Sequence, residues 1–319
     1  MAYVAGDTIL DDEYNTFVNS AVSPYGYNHF AGTGSGAYGL GQSAISTVAA
    51  GNTITAAQWN SLLTGMVNIA NHTNDTLSST AAVSTGDTIA IKSALEADLA
   101  TLAASVAAGC PNATALTTSS ALQTVTTSSE GWDNTATQEV SVTFADADTM
   151  RHFFNAGGKI RITVGTTQSS TNPKDQAFID LGTAIGNLDI GSQATTRSGS
   201  GESLTTNGLA NGFHDLSTGY TVLLKLTSDN TNYTSNTVEI SAKLDAAVGS
   251  ATVITVKMVA SDPAADTQYT SPNTSGVPAA AKNTPRMITT LYTISPNTSE
   301  GLASAPAISS SATVSNSTT

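Results

Sequence analysis

Asp146, Asp148 and Arg151 are the first side chains whose types and spacing suggest chemistry. Glycosidases hold two carboxyl groups across a sugar, with one of them in an apolar pocket. Here the carboxylates instead precede the apolar pair Phe153-Phe154 by a few residues, which is the pattern of a helix N-cap. The segment therefore predicts the start of a short helix, and a glycan hydrolase remains an alternative that would require turnover lost on Asp146→Ala.

The remaining candidates for nucleophilic or metal chemistry are His29, His72, His152, His214 and the single Cys110. The histidines lack the spacing of a zinc site, and one cysteine cannot form an internal disulfide. His72 follows an apolar helical pattern among polar residues, so we expect it to cap the C-terminus of a helix. His152 is expected to cap a turn rather than to shuttle protons.

A glycine-rich stretch at Gly34-Ser35-Gly36-Ala37-Tyr38-Gly39 spells G-x-G-x-x-G. A dinucleotide site needs a strand before this motif, a helix after it and an acidic residue about 20 positions further on. The preceding residues 25–30 do not read as a strand, and the next acidic residue is Asp75. The stretch is interpreted as a structural loop held in place by aromatic rings.

No G-x-S-x-G serine-hydrolase motif occurs in the sequence. We expect neither enzymatic activity nor a cofactor.

Charge is scarce and unevenly distributed. The 319 residues include only 11% charged ones, against about a quarter in typical domains. Residues 1–150 contain thirteen acidic residues and only Lys92 as a basic one, a net −12 of the total −13. An acidic half repels phosphate backbones, so a nucleic-acid partner is disfavoured.

The chain has no apolar run of the length that a membrane span needs. Its start is not typical of a secretory signal, so we expect synthesis in a cytosol.

A degenerate repeat organises the first half: Ala5–Ile9 returns as Ala50–Ile54 and as Thr85–Ile89, and Tyr14-Asn15 aligns with Trp59-Asn60. Each copy reads as a turn, an N-cap (Asp7/Thr8, Thr53/Thr55, Asp87/Thr88) and a helix. Apolar residues then recur at helical spacing: Tyr14, Phe17, Val18 and Val22; Trp59, Leu62, Leu63, Met66, Ile69 and Ala70; Ile91, Leu95, Leu99, Leu102 and Val106. We expect three helices that lack a complete core and pack against other chains.

From about residue 135 apolar and polar residues alternate, as in strands with one buried face. The runs begin at Val140, Ile160, Tyr220, Val238, Ile254 and Ile288. The predicted fold class is α+β: a helical and glycine-rich assembly region (1–111), a Ser/Thr-rich linker (112–134), an antiparallel β-sandwich (135–296) and an extended tail (297–319).

Two short motifs carry a resemblance. The first is Phe153-Phe154-Asn155-Ala156-Gly157-Gly158-Lys159-Ile160-Arg161-Ile162, and the second is Gly39-Leu40-Gly41-Gln42 followed by Val48, Gly51, Ile54-Thr55-Ala56-Ala57-Gln58-Trp59-Asn60 and Leu62. Both resemble virion structural proteins of tailed bacteriophages, especially marine and cyanobacterial ones. The resemblance implies a non-enzymatic tail, baseplate or neck component that contacts other virion proteins. It also implies a homo-oligomer, with three copies natural for a fibre-like part, located in a virion assembled in the host cytoplasm.

The first motif also has a direct physical interpretation. Phe153 and Phe154 are expected to finish a short helix and bury their rings against the sandwich, while Gly157 and Gly158 let the chain reverse. Arg161 is expected on the opposite strand face, open to a contact between chains.

A host-receptor or carbohydrate-binding tail fibre is the alternative function. Its candidate stacking residues are Tyr220, Tyr233, Tyr269 and Tyr292. A secreted adhesin is a further alternative that the sequence start disfavours.

Overall fold

A computed structural model describes residues 10–87, 92–114, 116–127, 132, 134–166, 173–231, 233–263, 287–296 and 309–317. These residues form two compact units. The first comprises the described parts of Met1–Thr117, Asp146–Gly158 and Ser295–Pro306, and the second those of Thr118–Ala145, Lys159–Ile294 and Ala307–Thr319. Helices dominate the first unit and two antiparallel sheets the second, so the predicted α+β fold class is confirmed.

The helices of the first unit are α1 (Asp11–Asn19), α2 (Tyr27–Phe30), α3 (Ala56–Thr73), α4 (Lys92–Ala107) and α5 (Ala147–Asn155). The predicted cap of α3 is confirmed, because the Thr55 hydroxyl accepts from the Gln58 N–H at 3.2 Å while the Gln58 amide oxygen accepts from the Thr55 N–H at 2.9 Å. This reciprocal capping box satisfies two N–H groups that the first turn leaves unpaired.

The first predicted helix needs correction at both ends. It begins at Asp11, after the N-cap Leu10, whereas the predicted caps Asp7 and Thr8 lie outside the described residues. It ends at Asn19, so Val22 is not on its apolar face but 71% exposed. The repeat copy at Ala5–Ile9 and the residues Thr88–Ile91 also lie outside the described part of the chain.

The aligned pair of the repeat performs the same two roles in both copies. Tyr14 and Trp59 are buried, with ring centroids 6.4 Å apart. The Asn15 amide donates to the Val48 carbonyl at 2.8 Å and accepts from the Val48 N–H at 2.7 Å. Asn60 makes the same two contacts with Val83, both at 2.9 Å. Each asparagine thus fastens its helix to the segment that leads into the next repeat.

The expectation that these helices lack a core of their own is wrong for the described residues. Their buried residues form one cluster: Tyr14, Phe17, Val18, Tyr27, Phe30, Ala31, Leu40, Val48, Trp59, Leu62, Leu63, Met66, Ile69, Ala70, Leu95, Leu99, Leu102, Ala103, Val106, Cys110 and Ala156. The aromatic side chains of α1 and α2, together with Leu40 and Val48 from the connecting segments, supply the apolar area that three amphipathic helices alone do not.

The second unit contains the strands β2 (Gln123–Thr126), β3 (Thr135–Thr143), β4 (Lys159–Thr166), β5 (Asn187–Ile190), β6 (Thr195–Arg197), β7 (Ser203–Asn207), β8 (Thr221–Thr227), β9 (Thr237–Leu244), β10 (Val253–Ser261), β11 (Met287–Ser295) and β12 (Ser309–Ser317), with β1 (Thr117–Thr118) at its start. One sheet has the order β1-β11-β4-β5-β6, with β2 also paired to β11. The other has the order β12-β3-β10-β9-β8-β7. Helix α6 (Pro173–Ile185), which periodicity did not predict, contacts β4, β8 and β9.

The predicted alternation is confirmed in the long strands. In β10 the side chains of Ile254, Val256 and Met258 are buried, while Thr255 and Lys257 between them are half-buried. Val256 pairs with Val140 of β3, so the apolar face continues from strand to strand. The two antiparallel sheets and their alternating faces are of the β-sandwich type.

The compact units divide the chain differently from the predicted boundaries. Residues Asp146–Gly158, expected at the sandwich, belong to the first unit. Within the predicted linker, Gln123–Thr126 forms a sandwich strand, and within the predicted tail, Ser309–Ser317 does so too. The tail residues 297–308 and 318–319 lie outside the described residues.

A buried glutamine joins the two sheets of the sandwich. Gln138 of β3 is 0% exposed, and its amide donates to the Met287 carbonyl of β11 at 2.8 Å and to the Val125 carbonyl of β2 at 3.2 Å. Its amide oxygen accepts from the Thr289 hydroxyl. A buried polar group with all these partners fixes the relative positions of the strands it joins.

Replacing Gln138 with leucine is expected to lower the free energy of unfolding by about 2–3 kcal/mol, because the Val125 carbonyl, the Met287 carbonyl and the Thr289 hydroxyl each lose a buried hydrogen bond. The measurement is urea unfolding followed by Trp132 fluorescence in a Trp59→Phe background. Thr137→Val, one residue away on the outward face of β3, is the matched control, with an expected change of at most about 0.5 kcal/mol. Equal effects of both substitutions would contradict the role assigned to Gln138.

Candidate functional site

Helix α5 and the glycine-rich segment Thr33–Gly39 form the most distinctive polar arrangement in the first unit. The helix begins as predicted, because the Asp146 carboxylate accepts from the Thr149 N–H at 2.7 Å, which lowers the pKa of Asp146. Within one turn the helix then presents Arg151, His152 and Asn155. We call these three side chains and residues 33–39 the loop clasp.

Arg151 is the centre of the loop clasp and is only 5% exposed. Its guanidinium donates to the carbonyl oxygens of Tyr38 and Thr33 and lies 2.8 Å from a carboxylate oxygen of Asp148. Five N–H donors in one plane allow a single side chain to hold both carbonyls and the carboxylate. The Asp148-Arg151 pair that suggested chemistry is therefore engaged in holding a loop.

Asn155 completes the grip on the segment. Its amide nitrogen lies 3.0 Å from the Tyr38 carbonyl oxygen and 3.2 Å from those of Gly36 and Gly39. Gly39 has a φ of +97°, and a Cβ there would lie 2.6 Å from the Thr33 carbonyl oxygen and 3.0 Å from the Arg151 guanidinium. Asn155 was not predicted as a site residue, although its position four residues after Arg151 places both on one helix face.

The surroundings of the glycine-rich segment match a structural loop and not a dinucleotide site. Helix α2 precedes it instead of a strand, and the next helix begins only at Ala56. The Gly39 and Leu40 N–H groups donate to the carbonyls of Phe30 and Ala31 at 3.0 and 3.1 Å. The N–H groups at the end of the segment are thus bonded to carbonyls of the chain itself.

Three half-buried rings lie beside the clasped segment. The rings of Tyr25 and His29 are stacked, with centroids 4.4 Å apart and planes 9° from parallel. Tyr38 lies 4.7 Å from Tyr25 and 4.8 Å from His29. Burial lowers the pKa of His29, and burial together with the neighbouring Tyr25 raises the pKa of Tyr38. We call Tyr25, His29 and Tyr38 the ring cluster.

His152 lies within α5 rather than capping a turn, and its Nε2 is 3.3 Å from the Thr33 carbonyl oxygen and 3.1 Å from the Arg151 guanidinium. Burial is the largest cause of its lowered pKa, and the positive Arg151 acts in the same direction. The Thr33 carbonyl and the carboxylates of Asp148 and Asp146 act in the opposite direction.

The lowered pKa of His152 predicts a pH dependence of stability. The unfolded histidine takes up a proton near pH 6.5, whereas the folded one resists protonation to lower pH. The unfolded state therefore binds more protons, and the free energy of unfolding falls as pH is lowered through about 6.5. His152→Gln is expected to flatten this fall in urea titrations followed by Trp59 fluorescence. Identical pH profiles of the variant and the unchanged chain would contradict the prediction.

The residues after α5 close the helix and connect it to α3 and α4. The N–H groups of Gly157 and Gly158 donate to the carbonyls of Phe154 and Phe153 at 3.0 and 2.9 Å, the pattern of a Schellman C-cap. Gly157 has a φ of +85°, and a Cβ there would lie 3.1 Å from the Cys110 carbonyl oxygen. The predicted reversal of the chain at these glycines is confirmed.

His72 and Cys110 lie beside this turn. His72 Nε2 is 2.8 Å from the carbonyl oxygen of Ala156, so this side chain joins the last turn of α3 to the end of α5. Burial, together with the negative charge of Asp75, raises the pKa of the Cys110 thiol to about 12. A thiol with this pKa is protonated at neutral pH and unreactive.

The other residues singled out from the sequence are divided between the units. Trp59 lies in the core of the first unit. Phe153 and Phe154, within the sequence range of the same unit, are buried, and their ring centroids are 5.2 Å apart. Arg161 lies in the second unit, where its guanidinium makes two bonds of 2.7 and 2.8 Å with the Asp189 carboxylate of β5. This bidentate pair raises the pKa of Arg161 and engages the side chain within its own sheet, and a contact with another chain stays a prediction.

The tyrosines proposed for sugar stacking are poorly placed for it. Tyr233 is buried, and the Tyr220 ring is covered by the ammonium groups of Lys243 and Lys257, 4.5 and 3.8 Å from its centroid. Tyr292 is half-buried in β11, and Tyr269 lies outside the described residues.

Within the described ranges, no three His, Cys, Asp or Glu side chains are grouped so that they could hold a metal ion. No helix in the same ranges is long and apolar enough to cross a membrane. Comparisons with models of protein families, with curated proteins and with solved structures find no match to this chain.

Proposed function

We propose that this chain is a non-enzymatic structural component of a tailed-phage virion, located in the tail, baseplate or neck. One observation carries the proposal: the second motif and residues 153–158 of the first motif lie in the same compact unit. Gly39, which opens one motif, bonds through its carbonyl to Asn155 of the other at 3.2 Å. Trp59 of the second motif lies in the core of the same unit. Segments more than a hundred residues apart therefore form one module.

The use of the polar side chains supports a structural role over a catalytic one. Arg151 and Asn155 hold carbonyls of the loop clasp, and the Asp98 carboxylate of α4 accepts from the Ser78 and Ser79 N–H groups at 2.8–3.1 Å. Asn15 and Asn60 fasten neighbouring segments in the same way. Side chains that catalysis would need free for a substrate are here bonded to backbone.

The charge of the first unit indicates how it docks. Its sequence ranges contain eleven acidic and two basic residues, a net −9, whereas those of the second unit have a net −4. We therefore assign docking onto basic surfaces of other virion proteins to the first unit and presentation to the sandwich. Attraction between exposed charges is screened by salt, so this docking should weaken as salt concentration rises. Because the first unit has its own core, docking does not require a neighbour to complete its fold.

The proposal is tested by immunogold electron microscopy of particles of the phage that encodes the chain, with an antibody raised against the purified protein. Labelling at one fixed position on the tail, baseplate or neck is the expected result. Antibody pre-absorbed with the protein is the control and should label nothing. Label found only on free material, with particles unlabelled, would contradict the proposal.

Carbohydrate binding by a host-receptor tail fibre remains the second candidate, and the ring cluster favours it. Its half-buried aromatic faces resemble the surfaces on which sugar rings stack better than the sandwich tyrosines do. Binding of the full chain to host envelope polysaccharide, lost in Tyr25→Ala and kept in Tyr292→Ala, would support this function. No binding by the unchanged chain would remove it.

A further inference from the structure

The last described strand of the chain closes one edge of a sandwich sheet. All nine residues of β12 pair with the nine residues of β3 in antiparallel register, from Ser309 opposite Thr143 to Ser317 opposite Thr135. In the sheet order β12 is terminal and β3 is its only described neighbour strand. Its sequence is Ser-Ser-Ser-Ala-Thr-Val-Ser-Asn-Ser, which contains no large side chain.

The described side chains of β12, those of residues 309–313, contribute little to its attachment. Ser309, Ser311, Ala312 and Thr313 are exposed. Ser310 is half-buried, and its hydroxyl donates to the Leu122 carbonyl at 3.0 Å. All nine residues pair with β3 through the main chain. Main-chain hydrogen bonds do not depend on sequence, and any copy of the strand can make them equally well.

The edge of β3 must be covered by another strand. Without β12, the N–H and C=O groups on one side of the nine-residue strand β3 would be unpaired, along a strand that contains the fully buried Val140 and Val142. An uncovered strand edge of this kind is a template for pairing with another chain. Twelve residues separate Pro296 from Ser309, a length that spans up to about 40 Å when extended, so the strand has enough chain to reach a neighbouring copy.

We propose that the β3 edge is a strand-acceptor site filled, in the assembled state, by β12 of a second copy of this chain. In the exchanged form β12 pairs with β3 of a second copy, and in the closed form it pairs with β3 of its own chain. Both forms make the same main-chain bonds, so concentration and the geometry of assembly decide between them. Successive donation around an axis links identical copies without any additional interface. This inference rests on the proposed assembly role and names the contact that would connect the copies.

The experiment uses two full-length variants, Ser141→Cys in β3 and Ser311→Cys in β12, which are register partners. Directly opposite residues on one sheet face are close enough for a disulfide. The variants are refolded together at high concentration, oxidised and separated on a non-reducing gel. The buried native thiol of Cys110, with its raised pKa, does not compete.

The expected result is a covalent dimer with one chain of each variant. Thr218→Cys, in an exposed turn, replaces Ser141→Cys in the control mixture and should give at least tenfold less mixed dimer. The double variant Ser141→Cys/Ser311→Cys at high dilution should close within one chain, which shows that the pair can be bridged. Strand exchange would be overturned if the double variant formed its disulfide completely within one chain while the single variants gave no mixed dimer. The virion role would still be decided separately by immunogold labelling of particles.

Discussion

Replacing Arg151 with methionine should lower the free energy of unfolding of the first unit by about 2–3 kcal/mol. Methionine preserves much of the side-chain length but removes every donor of the loop clasp's central residue. The Tyr38 carbonyl would retain only Asn155, and the Thr33 carbonyl only the longer contact with His152. The measurement is urea unfolding followed by Trp59 fluorescence in a Trp132→Phe background.

Asp148→Ala is the matched control for Arg151→Met. The Asp148 side chain is 66% exposed, and exposed ion pairs contribute at most about 1 kcal/mol. We therefore expect its loss to cost about 0.5 kcal/mol, because the carbonyl bonds of Arg151 remain. If Asp148→Ala destabilised the unit as much as Arg151→Met, the ion pair rather than the grip on the loop would be the source of stability.

Gly158→Ala is expected to destabilise the first unit by about 3 kcal/mol, the upper range for an added methyl group in a packed site. A Cβ at this position would overlap the carbonyl oxygen of Phe153 and lie 2.8 Å from its ring carbons. Because the carbonyl belongs to the backbone of α5, the clash cannot be relieved by a rotamer change. The same Trp59-monitored unfolding measures the effect.

Gly36→Ala is the control for Gly158→Ala, because it measures the cost of backbone strain without a steric clash. Gly36 has a φ of +55°, and a Cβ added there would have no other atom within 4 Å, so alanine meets only the left-handed backbone penalty. We expect a loss of about 1 kcal/mol. A loss at Gly36 equal to that at Gly158 would show that the close packing after α5 does not constrain the fold.

Local periodicity was sufficient to predict much of the secondary structure. The spacing of Trp59, Leu62 and Met66 predicted α3, and its Thr55 cap was visible in the sequence. Strict alternation predicted β3, β4, β9, β10 and β11. Helix α6 was missed although its buried residues Phe178, Leu181 and Ile185 have helical spacing, because residues 135–296 were assigned as a whole to the β-sandwich.

Such local patterns could not predict the packing of residues that lie far apart in the sequence. The helical core was underestimated because Tyr27, Phe30 and Leu40, which fill it, come from a four-residue helix and a loop. The tail was expected to be merely extended because Ser309–Ser317 has no apolar alternation, yet main-chain pairing with β3 is enough to order it.

The candidate site was predicted only in part. The cap at Asp146, the helix after it and the reversal at Gly157 follow from local residue types. The grip of Arg151 and Asn155 on the glycine-rich segment joins residues more than a hundred positions apart, and no local signal encodes that meeting.

Quantitative mass spectrometry of gradient-purified virions tests the central claim most directly. The account predicts peptides from both units in a constant ratio to the other structural proteins, at several copies per particle and unchanged by further purification. A folded, monomeric protein abundant in the infected-cell lysate but absent from the purified particles would contradict it.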